Sequence, residues 1–80
     1  MKARVHITPR TGVLDPQGKA IAQALGRLGF SGIDEVRQGK YIEIELDETD
    51  RDKARAVVEA MCNRLLANTV VEDYAIELGD

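Results

Sequence analysis

The chain has 80 residues, one cysteine, no tryptophan and a formal net charge of -3 from 14 acidic and 11 basic side chains. A lone cysteine excludes an internal disulfide and a multi-thiolate metal site, and the acidic balance offers nothing to a nucleic-acid backbone. Eighty residues make one small domain, 1–80, of a size that buries only about 60% of its unfolded surface as a monomer, so oligomerisation or a partner is expected to supply stability.

Residues 2–8 alternate, with Ala3, Val5 and Ile7 on one face and Lys2, Arg4, His6 and Thr8 on the other, the pattern of a half-buried strand that Pro9 ends. No apolar run of the kind a signal peptide or membrane span needs is present here, and a cytoplasmic protein is expected. The stretch Gly12-Val13-Leu14-Asp15-Pro16-Gln17-Gly18 reads as a helix start. Asp15 is suited to cap free backbone N–H groups, and Pro16 fits the first helical position. The helix is expected over residues 16–28, with Ala20, Ile21, Ala24, Leu25 and Leu28 on one side, and Gly29 as the left-handed residue after it, letting Phe30 fold back on Leu25.

Residues 33–38 read as a less regular strand, and Gly39-Lys40 as the turn of a hairpin leading into Tyr41-Ile42-Glu43-Ile44-Glu45-Leu46, whose alternation is strict. Residues 47–50 are rich in capping side chains. After them Ala54, Val57, Val58, Met61, Cys62, Leu65 and Leu66 form the clearest amphipathic stripe, which Asn68 is expected to help terminate. Residues 71–78 make the last strand, with Tyr74, Ile76 and Leu78 on one face and Asp73, Ala75 and Glu77 on the other.

The order βαββαβ predicts an α+β, ferredoxin-like sandwich, an antiparallel sheet with its first strand central and its helices on one face. The uncovered face then sets Arg4 and His6 beside Glu43 and Glu45 on one flank and Asp73 or Glu77 on the other, a surface laced by opposite charges that suits solvent or a polar subunit interface.

None of the residue types able to do chemistry stands in a convincing constellation, and no catalytic, cofactor-binding or metal-binding residue is assigned. Cys62 lies within the apolar stripe, where a thiol packs as a small hydrophobe. His6 is the one histidine, with no His or Cys nearby in sequence to orient it or share a metal. Glu43 and Glu45 sit two apart on one strand face, where carboxylates opposite Lys2 and Arg4 serve pairing and solubility better than acid–base work. Gly12 and Gly18 flank a helix start, but Asp15 sets a negative charge there, and the spacing matches neither a Walker loop nor a dinucleotide fingerprint.

Several of these pieces together carry a family resemblance: the strand at 2–8, the Gly12 to Gly18 run, Ala24-Leu25 with Leu28-Gly29-Phe30, Val36-Arg37 with Gly39-Lys40, and Leu65-Leu66-Ala67-Asn68 followed by Val70-Val71-Glu72-Asp73-Tyr74. In order and spacing they resemble the PurS subunit of phosphoribosylformylglycinamidine synthase. One departure is Thr69, where the family pattern commonly has proline. The resemblance implies a small non-catalytic subunit of a three-part, ATP-dependent amidotransferase of de novo purine biosynthesis. It implies a homo-oligomer, dimer or tetramer, with or without strands exchanged between protomers, that bridges a glutaminase subunit, PurQ, and a large synthetase subunit, PurL, and supports ammonia transfer between them. ATP and Mg²⁺ are then expected on the synthetase, where formylglycinamide ribonucleotide becomes formylglycinamidine ribonucleotide.

On that reading, Arg4, His6, Asn68, Glu72, Asp73 and Tyr74 are the expected assembly interface, because an outer strand presents unpaired backbone groups and Tyr74 has an aromatic body with a polar tip. Two rivals compete. A regulatory βαββαβ domain would sense a small molecule such as an amino acid near the Thr11-Gly12 loop, and an acylphosphatase-like hydrolase would hold an anion with an arginine, for which Arg10 is available.

Overall fold

The computed structural model describes residues 1–79. In chain order it contains β1 (Lys2–Pro9), α1 (Pro16–Arg27), β2 (Lys40–Glu45), α2 (Arg51–Met61), a π-helical turn over Cys62–Leu66, and β3 (Glu72–Gly79). The sheet is antiparallel in the order β2-β1-β3, so the first strand is central as the pattern requires. Lys2 pairs with Glu45 and Gly79, Val5 with Ile42 and Ile76, and Ile7 with Lys40 and Tyr74. Alternation then aims Ala3, Val5 and Ile7 at α2, and all three are fully buried with Val58 and Cys62.

α2 starts where the capping chemistry is. The Asp50 carboxylate accepts from the N–H groups of Asp52 and Lys53 at 2.9 and 3.1 Å, satisfying donors that the first turn leaves free. Its far end widens into the π turn, closed by the bond from Ala67 N–H to the Cys62 carbonyl at 3.0 Å. Ala67 is the extended residue that ends the helix, and Asn68 shapes the turn beyond it. Both ends are tied to the sheet: Arg51 donates to the Leu78 carbonyl at 2.9 Å, and the Lys40 ammonium to that of Leu66 at 3.2 Å.

α1 begins and ends as its sequence dictates. Asp15 caps the Gly18 N–H at 3.0 Å with Pro16 at the first helical position. Gly29 is left-handed at φ 98°, Phe30 N–H reaches the Leu25 carbonyl and Gly29 N–H that of Gly26, both at 3.1 Å, which together make a Schellman motif.

Two expectations are corrected here. The strand over residues 33–38 and its hairpin at Gly39-Lys40 do not form, so the sheet has three strands and the element order is β-α-β-α-β. Gly39 is not among the glycines with positive φ, and the chain runs through it without reversing. What Gly39 supplies is proximity, because a Cβ there would collide with the Ile7 carbonyl oxygen. Residues 30–39 are instead held to the start of α1. Gln38 N–H donates to the second Asp15 carboxylate oxygen at 2.8 Å, its side chain donates to Gln17 at 2.8 Å, and Val36 O packs where Gly18 has no Cβ.

The second correction concerns the helices. Only α2 lies on the sheet, whereas α1 makes no substantial contact with any other element. With the segment at 30–39 it forms an arm, and the molecule measures 48 × 26 × 15 Å. Its radius of gyration is 15.8 Å, against about 12 Å for a compact domain of this length. The apolar stripe of α1 is accordingly uncovered, with Leu28 74% exposed. Val57 and Leu65, taken from sequence as part of the buried stripe of α2, are 46% and 83% exposed, because that stripe is wider than the one sheet face it meets.

Cys62 is fully buried between the sheet and α2, and burial, with a smaller contribution from Glu59, pushes its thiol above the usual range. Replacing it with alanine leaves a small cavity, and Cys62→Ala is expected to lower stability by about 1 to 2 kcal/mol. Urea unfolding of both proteins at one protomer concentration measures the difference.

Candidate functional site

The helix-free face of the sheet collects the charges. The Lys2 ammonium lies 3.5 Å from Glu43 and 3.7 Å from Glu45, and His6 lies 3.3 Å from Glu77. Arg4 stands between Glu43 and Glu77 in register. Tyr41, opposite His6, stacks on it in a tilted arrangement with ring centroids 4.9 Å apart and hydrogen-bonds Glu43 at 3.2 Å. Partial desolvation, then that carboxylate, raise the Tyr41 hydroxyl pKa. Exposed pairs of this kind each contribute roughly 0 to 1 kcal/mol, so their value lies in the pattern they present rather than in stability.

A second cluster ties the turn after α2 to the end of β1. Asn68 O accepts from Val71 and Glu72 N–H, its side chain accepts from Val70 N–H, and Glu72 reaches back to Asn68 N–H at 2.7 Å. These bonds hold the turn through Thr69 in shape. Arg10 then bridges to β3, 3.3 Å from the Asp73 carboxylate and 3.4 Å from the Glu72 carbonyl, while its own N–H bonds Val71 O at 2.9 Å.

The six residues expected as an interface therefore divide. Arg4, His6 and Asp73 share the charged face, Asn68 and Glu72 lock the turn at one end of it, and Tyr74 lies on the opposite face, half-buried against the core. Arg10 and Tyr41 join the same surface without having been assigned to it. The signal for Arg10 is its place two residues beyond Thr8, which pairs with Asp73, and the signal for Tyr41 is its parity with Glu43 on a strand whose alternation is strict.

The rival chemistries find little support. Arg10 is committed to Asp73 and the Glu72 carbonyl, which leaves its guanidinium poorly placed to hold an anion. Beside the Gly12 loop, whose φ of 86° makes the turn, a shallow cavity of about 250 Å³ is lined by Val13, Leu14, Asp15, Lys19, Asp34 and Glu35 among others. Three carboxylates against one ammonium repel the carboxylate of an amino acid or a phosphate. Among the described residues no group of three or more His, Cys, Asp or Glu side chains is arranged to hold a metal ion, and no helix is long and apolar enough to cross a membrane.

Comparison with known proteins is consistent along the whole chain. The family profile described as PurS, phosphoribosylformylglycinamidine (FGAM) synthase, matches residues 2–80. The phosphoribosylformylglycinamidine synthase subunit PurS of Mycobacterium leprae is 53% identical over 75 residues, covering 94% of this chain and 91% of the relative. Among solved structures, PurS of Bacillus subtilis superposes with a TM-score of 0.88 at 42% identity, covering 99% of this chain and 98% of that one. A chain of the PurLQS structure from Thermotoga maritima superposes at 0.86 with 32% identity, covering 95% and 93%.

Asp15 supplies a pH test of the link between α1 and the arm segment. Its carboxyl is held below the ordinary 3.8 first by the Gly18 N–H, then by the Gln38 N–H. A carboxylate depressed in the folded state stabilises fully above the ordinary value, and the contribution is lost as pH falls through the lowered folded value. NMR titration should therefore show the Gly18 and Gln38 amides shifting together with a midpoint below 3.8, and Asp15→Asn should remove the transition.

Proposed function

This chain belongs to the PurS family of phosphoribosylformylglycinamidine synthase subunits, and we propose that it is the small, non-catalytic member of that ATP-dependent amidotransferase, joining its glutaminase and synthetase subunits. The enzyme serves de novo purine biosynthesis. The observation that carries the reading is identity of up to 53% over nearly the whole length of PurS subunits, together with likeness to a chain of the PurLQS assembly of Thermotoga maritima. The work of such a subunit is done by surfaces. Its most polarisable candidate for chemistry, Cys62, is sealed in the core with a raised thiol pKa.

The domain at 1–80 acts as a self-associating cytoplasmic scaffold, while ATP, Mg²⁺ and the formylglycinamide ribonucleotide substrate belong to the PurL partner and glutamine to PurQ. Its docking surface for the larger subunits is the charged sheet face with the adjoining turn: Arg4, His6 and Asp73, with Asn68 and Glu72 holding the turn in shape. Tyr74 supports that surface from the core side. Alternating charges with half-exposed aliphatic stems suit a polar interface whose register is set by charge complementarity.

Reconstitution with a PurL and PurQ pair tests both parts. Glutamine-dependent synthesis should require this chain, whereas synthesis from free ammonia by the synthetase should persist without it. The double variant Arg4→Glu, Asp73→Lys should weaken docking about tenfold or more, measured by titration calorimetry, with the fold retained by circular dichroism. Unchanged docking with glutamine-dependent synthesis lost would move these residues from assembly to ammonia passage.

A further inference from the structure

Along α2 the buried positions step by four, through Ala54, Val58 and Cys62, and a regular helix would turn Leu65 and Leu66 inward next. The π turn adds a residue there. Ala67 becomes the next buried position, Leu66 is half-buried, and Leu65 swings out as the most exposed large apolar side chain among the described residues. It comes round to the side of Val57 and Met61, and with Ala60, Arg64 and Leu66 these line an open apolar hollow of about 560 Å³ on the flank of α2. A single exposed leucine is ordinary, whereas one turned out of the core beside other apolar side chains makes a patch that marks an interaction surface.

The rim of the hollow is basic. Arg64 lines it, and Lys53, one turn before Val57, lies within about 40° of that residue around the helix axis, whereas Asp52 and Glu59 lie about 140° and about 160° away. Neither cation has an ion-pair partner among the described residues. The walls are side chains of a helix whose backbone groups bond one another, and the Leu66 carbonyl at its end already accepts from Lys40. An incoming chain therefore finds no edge to pair with and must satisfy its own backbone, as a helix does. From Val57 to Leu66 the hollow runs about 13 Å at roughly 1.5 Å per residue, which accommodates two turns of a helix laid alongside.

We propose that this hollow is a second docking surface, occupied by an amphipathic helix of the large synthetase subunit that lays apolar side chains on Val57, Met61 and Leu65 and sets carboxylates against Lys53 and Arg64. The proposal rests on the assembly role stated above and adds a surface to it. The hollow lies on the helix-bearing side of the sheet, away from the charged face, so the two surfaces can be engaged at once. A charged face gives register and selectivity, and an apolar hollow gives lasting attachment. The lasting contact belongs to the synthetase, because ammonia has to be delivered to a fixed point on it.

The test is titration calorimetry of the full-length chain against the synthetase alone and against the glutaminase alone, at low and high salt, for the parent and for Leu65→Ser and Arg64→Glu. Both substitutions fall on exposed side chains, and circular dichroism and sedimentation check fold and oligomeric state. Leu65→Ser should weaken binding to the synthetase about tenfold or more. Arg64→Glu should weaken it as well and reduce its salt dependence, while glutaminase binding and oligomeric state stay as in the parent. Synthetase binding unchanged in both variants overturns the proposal. So does an effect confined to the glutaminase, which assigns the hollow to the other subunit, or an altered oligomeric state, which assigns it to a second copy. A parent chain that binds neither subunit overturns the assembly role itself rather than the choice of surface.

Discussion

Everything in this molecule hangs on β1 being hydrogen-bonded along both edges. Its residues pair with β2 on one side and β3 on the other over nearly the same span, so a single alternation decides which side chains enter the core and which face away. Ala3, Val5 and Ile7 go to α2, and Lys2, Arg4, His6 and Thr8 go to the open face. Slippage by one residue would drive the charges into the core and the aliphatics into water, which makes the register strongly specified. The ion pairs of the open face and the packing of Cys62 are two consequences of one pairing pattern.

The passage of the chain through Gly39 decides the molecule's shape. Glycine is commonly read as a place to turn, yet here its missing side chain lets β2 approach the Ile7 carbonyl, and the backbone continues straight. Asp15 then holds the outgoing segment from the other end, binding both the Gly18 and Gln38 amides with one carboxylate. Gly18, also without a Cβ, admits the Val36 carbonyl to the helix start. The arm is therefore an organised piece of structure, with a capped helix and a docked return segment, that has left its apolar stripe without cover. A small core of seven fully or nearly buried apolar residues is consistent with a protomer that reaches its working stability only in company.

The two faces of the sheet divide the labour. The apolar face stabilises, and the opposite face presents alternating charges at fixed spacing, a pattern that in an interface favours discrimination over strength of binding. Arg10 and Asn68 set the boundary of that surface by tying the end of β1 to the start of β3. This arrangement suits a subunit of phosphoribosylformylglycinamidine synthase whose part is to place other subunits.

The amino-acid pattern by itself determined the features set by neighbours in sequence: the Asp15 cap, a capping segment before α2, the Gly29 terminus of α1, the strict alternation of β1 and β2, and the shared face of Tyr74, Ile76 and Leu78 on β3. These follow from local stereochemistry and from side-chain periods of 3.6 and 2, which any stretch of chain carries within itself. The charged face was legible too, since register follows once the central strand is known. Tertiary structure alone decided whether residues 33–38 join a sheet, whether Gly39 turns, and whether the stripe of α1 or the outer row of Val57 and Leu65 is covered. Those outcomes depend on close approaches between distant backbone atoms, Gly39 to Ile7 and Gly18 to Val36, and on how much apolar surface one sheet face can take. No local pattern encodes either, so a helix with every mark of a core element stands away from its own core.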